Sequence, residues 1–142
     1  MSQTETQSRS ETENNPTVAP VLLIEDEPAV MALVRAVLEG RGYAVVPCES
    51  GVEALRLLEK AEFRGVISDM RTPGGVDGAQ VYAWTAAHRP ELARRLVFIT
   101  GDMANEETAA TLRRTGAPCV EKPFRVQDFI AVVEQTMGKA AS

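Results

Sequence analysis

The sequence has few cysteines and no long hydrophobic run. Its 2 cysteines, Cys48 and Cys119, lack the spacing of a metal site and the density of a disulfide-rich scaffold, so we expect two free, buried thiols. No apolar run approaches the ~18 residues that a membrane span requires, and the N-terminal stretch lacks the apolar centre of a signal peptide. These absences argue against a secreted scaffold or a membrane protein and favour a cytoplasmic location.

Positive charge is also scarce relative to negative charge. The 15 Lys and Arg residues against 20 Asp and Glu give a formal net charge of −5, which disfavours nucleic acid or an anionic membrane surface as a partner. A chain of 142 residues is long enough for one domain with a hydrophobic core and too short for two ordinary ones. We therefore expect a single domain with a single functional site.

The N-terminal segment differs in composition from the remainder. Residues 1–18 are rich in Ser, Thr, Glu, Gln and Asn and have almost nothing to bury, which predicts a disordered polar tail. The ordered domain is predicted at 19–138, where apolar residues recur, and 139–142 are predicted to form a flexible C-terminus. All candidate site residues lie in the ordered domain.

Short apolar runs alternate with longer stretches of helical period. The runs predict five strands, at 21–25, 43–47, 65–69, 95–100 and 117–121. The stretches between and after them predict helices at about 28–39, from Ser50 to before Gly65, and at about 78–88, 105–115 and 126–137. This alternation predicts βαβ units, and therefore an α/β fold with a parallel sheet covered on both faces by helices.

Polar residues follow the predicted strands at one edge of that sheet. They are Glu25, Asp26 and Glu27 after the first strand, Asp69 at the end of the third, Thr100 at the end of the fourth and Lys122 after the fifth. Ligands of open parallel sheets bind outside the carboxyl ends of the strands. Clustered carboxylates repel one another unless a cation intervenes, and their hard oxygen ligands suit Mg²⁺. A lysine beside them suits the transfer of a phosphoryl group to an oxygen nucleophile, so Asp69 is the candidate acceptor.

Four motifs in this order carry a resemblance to a known family. They are EDEP after the first strand, SDM at the third, FITGD at the fourth and EKPF after the fifth. Together they resemble the receiver domain of response regulators in two-component signalling, over residues 20–137. The resemblance implies a flavodoxin-like, doubly wound (βα)5 fold with five parallel strands in the order 2-1-3-4-5 and helices on both faces.

The resemblance also implies a phosphoryl acceptor that works with Mg²⁺. Asp69 would take the phosphoryl group from a histidine kinase, a histidine phosphotransfer protein or a small donor such as acetyl phosphate. Asp69 and Asp26 would bind Mg²⁺ directly, Glu25 would act through water, and the backbone carbonyl of Arg71 would complete the protein ligands. The activity implied is that of an acceptor, with at most self-catalysed phosphorylation and dephosphorylation.

Two further residues receive roles by resemblance. Lys122 would pair with a phosphoryl oxygen, and the hydroxyl of Thr100 would turn inward to bind another. Pro123 would follow the lysine through a cis peptide. Glu27, just before the proline that begins the first helix, is interpreted only as a charge that stabilises the helix N-terminus.

The residues around the acceptor suggest two further features. Arg71 and Asp102 each lie two residues beyond a strand-end site residue, and we expect their side chains to pair across the entrance and slow hydrolysis. The loop after Asp69 has two adjacent glycines, Gly74 and Gly75, and is one residue longer than is common in the family. We expect this loop to protrude or move more than usual and to help select the partner.

Two other positions depart from the family pattern. Cys119 stands where many receivers carry an aromatic residue that reports activation, so the usual aromatic response is expected to be absent or altered. The implied strand order separates Cys48 and Cys119 by about 19 Å, so no disulfide is expected in the monomer, since a disulfide requires Cα atoms within ~7 Å. Arg125 stands where a Ser, Asp or Asn cap would be expected at the start of the last helix.

The leading interpretation is a phospho-accepting receiver that signals by conformational change and has no output module within this chain. Its output would be a downstream protein target bound at the fourth predicted helix, the fifth strand and the last helix, in a monomer or a phosphorylation-dependent dimer. One alternative is a receiver-like interaction module that is never phosphorylated. Another is a phosphohydrolase of the haloacid-dehalogenase type, although its Asp-x-Asp pattern is absent where Glu25, Asp26 and Glu27 stand. A stand-alone regulator and a receiver from a hybrid kinase both stay open.

Overall fold

The computed structural model describes residues 18–140. The predicted tail up to residue 17 and the last two predicted C-terminal residues, 141–142, lie outside the described residues. The strands are β1 (Val21–Ile24), β2 (Val45–Cys48), β3 (Gly65–Asp69), β4 (Leu96–Thr100) and β5 (Cys119–Glu121). The helices are α1 (Pro28–Gly40), α2 (Gly51–Lys60), α3 (Gly78–His88), α4 (Pro90–Ala93), α5 (Glu106–Thr115) and α6 (Val126–Met137).

The five strands form one parallel sheet in the order β2-β1-β3-β4-β5. This confirms the predicted fold class and strand order. Because β1 lies between β2 and β3, the winding direction changes at the β1–β3 pair, where Ile24 lies beside Ser68. A doubly wound sheet opens a crevice at this point, outside the carboxyl ends of the strands.

Strand residues alternate between two helical layers. Leu23 of β1 and Ile67 of β3 pack on one face with α1 and α6, whereas Leu22 and Val66 pack on the other face with α2, α3 and α5. All four residues of β1 are buried, as expected for a central parallel strand covered on both faces. None of the helices within residues 18–140 has the length and apolar character needed to cross a membrane.

Polar caps set the starts of several helices. The hydroxyl of Ser50 accepts a hydrogen bond from the Glu53 amide at 3.2 Å, which begins α2 at the predicted position. The Glu53 carboxylate accepts from the amide of Glu49 rather than from that of Ser50, so only half of the predicted capping box forms. A complete capping box joins Asp77 and Gln80 at the start of α3, where the sequence predicted the helix but not its cap.

Two segments differ from the sequence prediction because of proline. Pro90 stops α3 and begins the additional turn α4, since proline suits the first position of a helix. The strand β5 starts two residues later than predicted, after Pro118, whose ring removes a backbone donor from the ladder. Neither difference moves a predicted site residue away from the carboxyl edge of the sheet.

Candidate functional site

A cleft of about 290 Å³ opens at the carboxyl edge of the sheet. Its lining comes from the ends of β1, β3, β4 and β5 and consists of Asp26, Glu27, Asp69, Arg71, Thr100, Gly101, Asp102 and Lys122. Glu25 lies beneath it, with 1% of its side chain exposed. The fold therefore brings all of the sequence-predicted site residues to one place. A larger groove, about 740 Å³ and lined mainly by apolar residues, includes Val18 and Phe63 and shares no residue with this cleft.

Asp69 is held at the end of the central strand β3. The backbone amide of the next residue, Met70, donates to the carbonyl of Ile99 on β4 at 2.9 Å, which ties down the strand end. The Oδ1 atom of Asp69 accepts a hydrogen bond from the Arg71 amide at 3.1 Å, and Oδ2 accepts one from Lys122 Nζ at 2.8 Å. With 10% of its side chain exposed, the carboxylate is oriented but still reachable from the cleft.

The ammonium group of Lys122 lies among three carboxylates. Its Nζ atom is 2.8 Å from Asp69 Oδ2, 3.0 Å from Glu25 Oε1 and 3.4 Å from Glu27 Oε1. Burial opposes the charge on Lys122, but its hydrogen bond to Asp69 and its pairing with Glu25 outweigh burial and raise its pKa above the ordinary range. Lys122 therefore stays cationic at physiological pH. The peptide bond from Lys122 to Pro123 is cis, as the resemblance implied.

Glu25 is a buried carboxylate with one oxygen left poorly satisfied. Its Oε2 accepts a hydrogen bond from the Glu27 amide at 3.0 Å. Its Oε1 lies 3.0 Å from Lys122 Nζ and forms an ion pair with it. The pair lacks hydrogen-bond geometry, so this oxygen has no hydrogen-bond partner among the described residues. Burial raises the pKa of Glu25, opposed by the bond from the Glu27 amide and by Lys122. A buried oxygen of this kind favours an added cation.

The carboxylates meet the chemical requirement of a hard divalent cation. One oxygen each from Glu25, Glu27 and Asp69 lies within 4.8 Å of the other two, and carboxylate oxygens are the ligands that Mg²⁺ prefers. The residues present therefore fit such an ion. Asp26, which the resemblance makes a direct ligand, is exposed on the cleft wall and outside this group of three.

Glu27 is the site residue that the sequence interpretation missed. It is the N-cap residue of α1, as its position before Pro28 predicted, yet its side chain also reaches Lys122. The sequence signal for a role of Glu27 in the site was its position as the third consecutive acid at the end of a strand. That signal is weak because alternate residues near a strand end point in different directions, and the turn decides which side chains meet.

The entrance of the cleft is bridged by an ion pair. Arg71 Nη2 is 3.1 Å from Asp102 Oδ2, with 65% and 48% of the two side chains exposed. This is the pairing that the sequence predicted. Thr100 is buried, and its hydroxyl oxygen accepts a hydrogen bond from the Asp102 amide at 3.1 Å. Gly101 has open space where a side chain would project, so it leaves room in the cleft.

The loop between β3 and α3 contains two consecutive left-handed residues. Gly74 and Gly75 have φ angles of 88° and 85°, which side chains disfavour, and neither has another group near the position of a β-carbon. The loop is closed by a hydrogen bond from the Thr72 hydroxyl to the Val76 carbonyl. Residues 73–75 are exposed, in line with a protruding loop, while its mobility and role in partner choice stay predictions.

Both cysteines are free within residues 18–140, as predicted, but only Cys48 is fully buried as expected. Cys48 is buried, and burial raises the pKa of its thiol to about 12. Cys119 is half-buried on the edge strand β5, with Sγ 3.8 Å from Met103 Sδ, and burial raises its pKa to about 11. Neither thiol is activated as a nucleophile.

The fold and the site define a doubly wound α/β domain with an acidic, lysine-containing crevice at its switch point. The family model described as "Response regulator receiver domain" matches residues 21–134. The chain belongs to the response regulator receiver domain family. Members of this family accept phosphoryl groups in two-component signalling and are not enzymes in the usual sense. A haloacid-dehalogenase-type phosphohydrolase is therefore not favoured.

Individual relatives agree with this assignment. The chain is 42% identical over 123 residues to the transcriptional regulatory protein GlrR of Escherichia coli, covering 87% of this chain but 27% of that protein. The solved receiver domain of NtrX from Brucella abortus is 28% identical, with a TM-score of 0.73 over 82% of this chain and 97% of that one. The receiver domain of the sensor histidine kinase PA1611 from Pseudomonas aeruginosa, solved with a magnesium ion in its active-site cleft, shares the fold at 22% identity and a TM-score of 0.74, covering 85% and 98% of the two chains. The chain thus spans about a quarter of the first of these proteins.

Proposed function

We propose that Asp69 is the phosphoryl acceptor of this receiver. The observation that carries the proposal is the hydrogen bond of 2.8 Å between Lys122 Nζ and Asp69 Oδ2 at the end of a buried strand. It orients one carboxylate in a crevice where an incoming phosphoryl group would find a cation beside its nucleophile. Placement of this kind lowers the cost of bringing reactants together, which makes an ordinary carboxylate an effective nucleophile.

Mg²⁺ is the proposed metal. Glu25, Asp26 and Asp69, with the backbone carbonyl of Arg71, are the residues proposed to hold it, and the buried, poorly satisfied oxygen of Glu25 supports a cation at this place. The solved PA1611 receiver domain, of the same fold, carries magnesium in its active-site cleft. When bound, the ion would neutralise negative charge on the transferring group.

The proposed reaction is a displacement at phosphorus. An oxygen of Asp69 forms a bond to phosphorus as the bond to the donor breaks, at nitrogen of a phosphohistidine or at oxygen of acetyl phosphate, and the donor leaves with that electron pair. Lys122 then transfers a hydrogen bond from Asp69 to a phosphoryl oxygen. The hydroxyl of Thr100, which accepts from the Asp102 amide in this structure, would turn to donate to a second phosphoryl oxygen. With small donors the domain would catalyse its own phosphorylation and later dephosphorylation.

The proposed partners are a histidine kinase or histidine phosphotransfer protein as donor and a downstream protein as target. The proposed target surface is the face formed by α5, β5 and α6. Sensor kinases among the relatives, such as GacS of Pseudomonas syringae, include a segment similar to this chain, at 30% identity over 124 residues. A cytoplasmic location and a monomer or phosphorylation-dependent dimer stay predictions.

Incubation with acetyl phosphate or beryllofluoride in the presence of Mg²⁺ tests the proposal. We expect a phosphoryl mass increment by intact mass spectrometry and NMR shifts around the cleft with the wild type, and neither with Asp69→Asn. Asp128→Asn removes a matched exposed carboxylate from the first turn of α6 and should behave like the wild type. Equal modification of the wild type and Asp69→Asn would refute the proposal. No modification of either protein would also refute it and would favour an interaction module that is never phosphorylated.

A further inference from the structure

We propose that Glu27 is a positioning residue for Lys122, whose negative charge strengthens cation binding in the cleft and weakens binding of phosphoryl-like anions. The inference deepens the proposed function and rests on it. It assigns to Glu27 a part in the site that neither the family resemblance nor its place at the start of α1 implies.

The contacts of Lys122 are divided unequally among three carboxylates. Asp69 and Glu25 are buried, with 10% and 1% of their side chains exposed, and lie 2.8 and 3.0 Å from Nζ. Glu27 is 62% exposed and lies 3.4 Å away. Lys122 Nζ donates hydrogen bonds to Asp69 and Glu27 and forms an ion pair with Glu25. Glu27 is therefore the weakest and most solvent-facing partner of Lys122.

The backbone directs Glu27 toward this contact. Its amide donates to Glu25 Oε2 at 3.0 Å, and its extended conformation leads directly into Pro28, the first residue of α1. Proline has a restricted φ angle, so the turn between β1 and α1 has little freedom. Glu27 makes no side-chain capping bond to α1 within the described residues, which leaves its carboxylate available to Lys122.

A phosphoryl group on Asp69 would require a donor from Lys122. As Lys122 transfers its bond from Asp69 to a phosphoryl oxygen, its contact with Glu27 is the other one expected to be released, because it is the longest of the three and the most exposed to water. Glu27 thus provides Lys122 with a partner in the resting state and competes with the phosphoryl oxygens for the same ammonium. Its charge also stays close to the incoming anion.

The surrounding charges make the sign of the effect clear. The cleft is lined by four acids, Asp26, Glu27, Asp69 and Asp102, against two cations, and the ion pair of Arg71 with Asp102 uses one of each. Removing one negative charge from this set weakens cation binding and strengthens anion binding. A single charge acting over roughly 6–8 Å in a well-solvated site changes the affinity of a univalent anion by about threefold and that of a divalent cation by about sevenfold, and salt reduces both effects.

Glu27→Gln tests the inference, because it keeps the size of the side chain and removes its charge. NMR shifts give the dissociation constant of Mg²⁺ alone and then that of beryllofluoride at saturating Mg²⁺. We expect about sevenfold weaker Mg²⁺ binding and about threefold tighter beryllofluoride binding, with both differences shrinking at high salt. Glu27→Asp should restore most of the wild-type behaviour. Glu59→Gln, which makes the same change on an exposed residue outside the cleft, should alter neither constant.

The opposite directions separate this role from a structural one, since local misfolding would weaken both ligands together. Unchanged constants in Glu27→Gln, or two constants that change in the same direction, would overturn the inference while Asp69-dependent binding by the wild type upholds the proposed function. If the wild type and Asp69→Asn bound beryllofluoride equally well, the proposed function would be overturned, and this inference with it.

Discussion

Replacing Gly78 with alanine is expected to disturb the acceptor site through the backbone. Gly78 is the first residue of α3, and a β-carbon there would lie 2.6 Å from the carbonyl oxygen of Asp69 and 3.0 Å from the Cα atom of Met70. Real β-carbons essentially never approach within 3.0 Å, so one backbone must move by at least about 0.4 Å. The strand β3 cannot yield freely because it is paired with both β1 and β4.

The cost follows from this overlap. Overpacking of a rigid site costs about 1–3 kcal/mol, and the better helix propensity of alanine returns at most about 1 kcal/mol. We therefore expect Gly78→Ala to lower the free energy of unfolding by about 1–2 kcal/mol. Because misplacing a reacting group by 1 Å can cost about 100-fold in rate, a shift of roughly half that should slow phosphorylation by acetyl phosphate about tenfold.

Urea unfolding and intact mass spectrometry measure the two effects. Gly40→Ala is the matched control, since its β-carbon would meet nothing within 4 Å at the end of α1. That variant should be as stable as the wild type or more so, with an unchanged phosphorylation rate. Equal unfolding midpoints and equal rates for Gly78→Ala and the wild type would show that contact between α3 and β3 does not position the acceptor.

Three further predictions follow. Arg71→Ala and Asp102→Ala should each shorten the phosphoryl half-life by about twofold to fivefold, the range expected for an exposed ion pair. Mass spectrometry that shows the phosphorylated protein disappearing at the wild-type rate in both variants would refute this prediction. Deleting Gly75 should change the rate of phosphoryl transfer from a cognate kinase to this protein. An unchanged rate would count against a role for the loop in partner choice. Because the unfolded thiol ionises near pH 9 while buried Cys48 keeps its proton to about pH 12, stability is lost as pH rises above 9. Between pH 8 and pH 10, the free energy of unfolding measured with urea should fall by about 1–2 kcal/mol more in the wild type than in Cys48→Ala. Equal decreases in the two proteins would contradict this prediction.

Much of the fold was predictable because its signals are local. The strand β3 and the helix α3 have the predicted bounds, and Pro28 and Ser50 begin their helices as expected. Such signals depend on hydrophobic period, on proline at a first helical position and on a side chain that caps its own neighbours. The capping box of Asp77 and Gln80 is equally local, although the sequence prediction did not include it.

Contacts between distant residues could not be predicted in the same way. The guanidinium of Arg64, just before β3, donates to the carbonyls of Met137 and Gly138 and lies 4.9 Å from the ring centre of Tyr43. Nothing near Arg64 in the sequence identifies these partners. They depend on the sheet order, which brings the start of β3 beside the end of α6.

The order of strands and helices, and the set of acids, hydroxyl and lysine at the strand ends, follow from the sequence, because each depends on a few neighbouring residues. Only the tertiary structure decides how the acids in Glu25, Asp26 and Glu27 divide their roles. Glu25 is buried, Asp26 lines the wall, and Glu27 reaches Lys122, 95 residues away. The physical reason is that the direction of each side chain depends on the turn after β1 and on the lysine that β5 brings across the sheet.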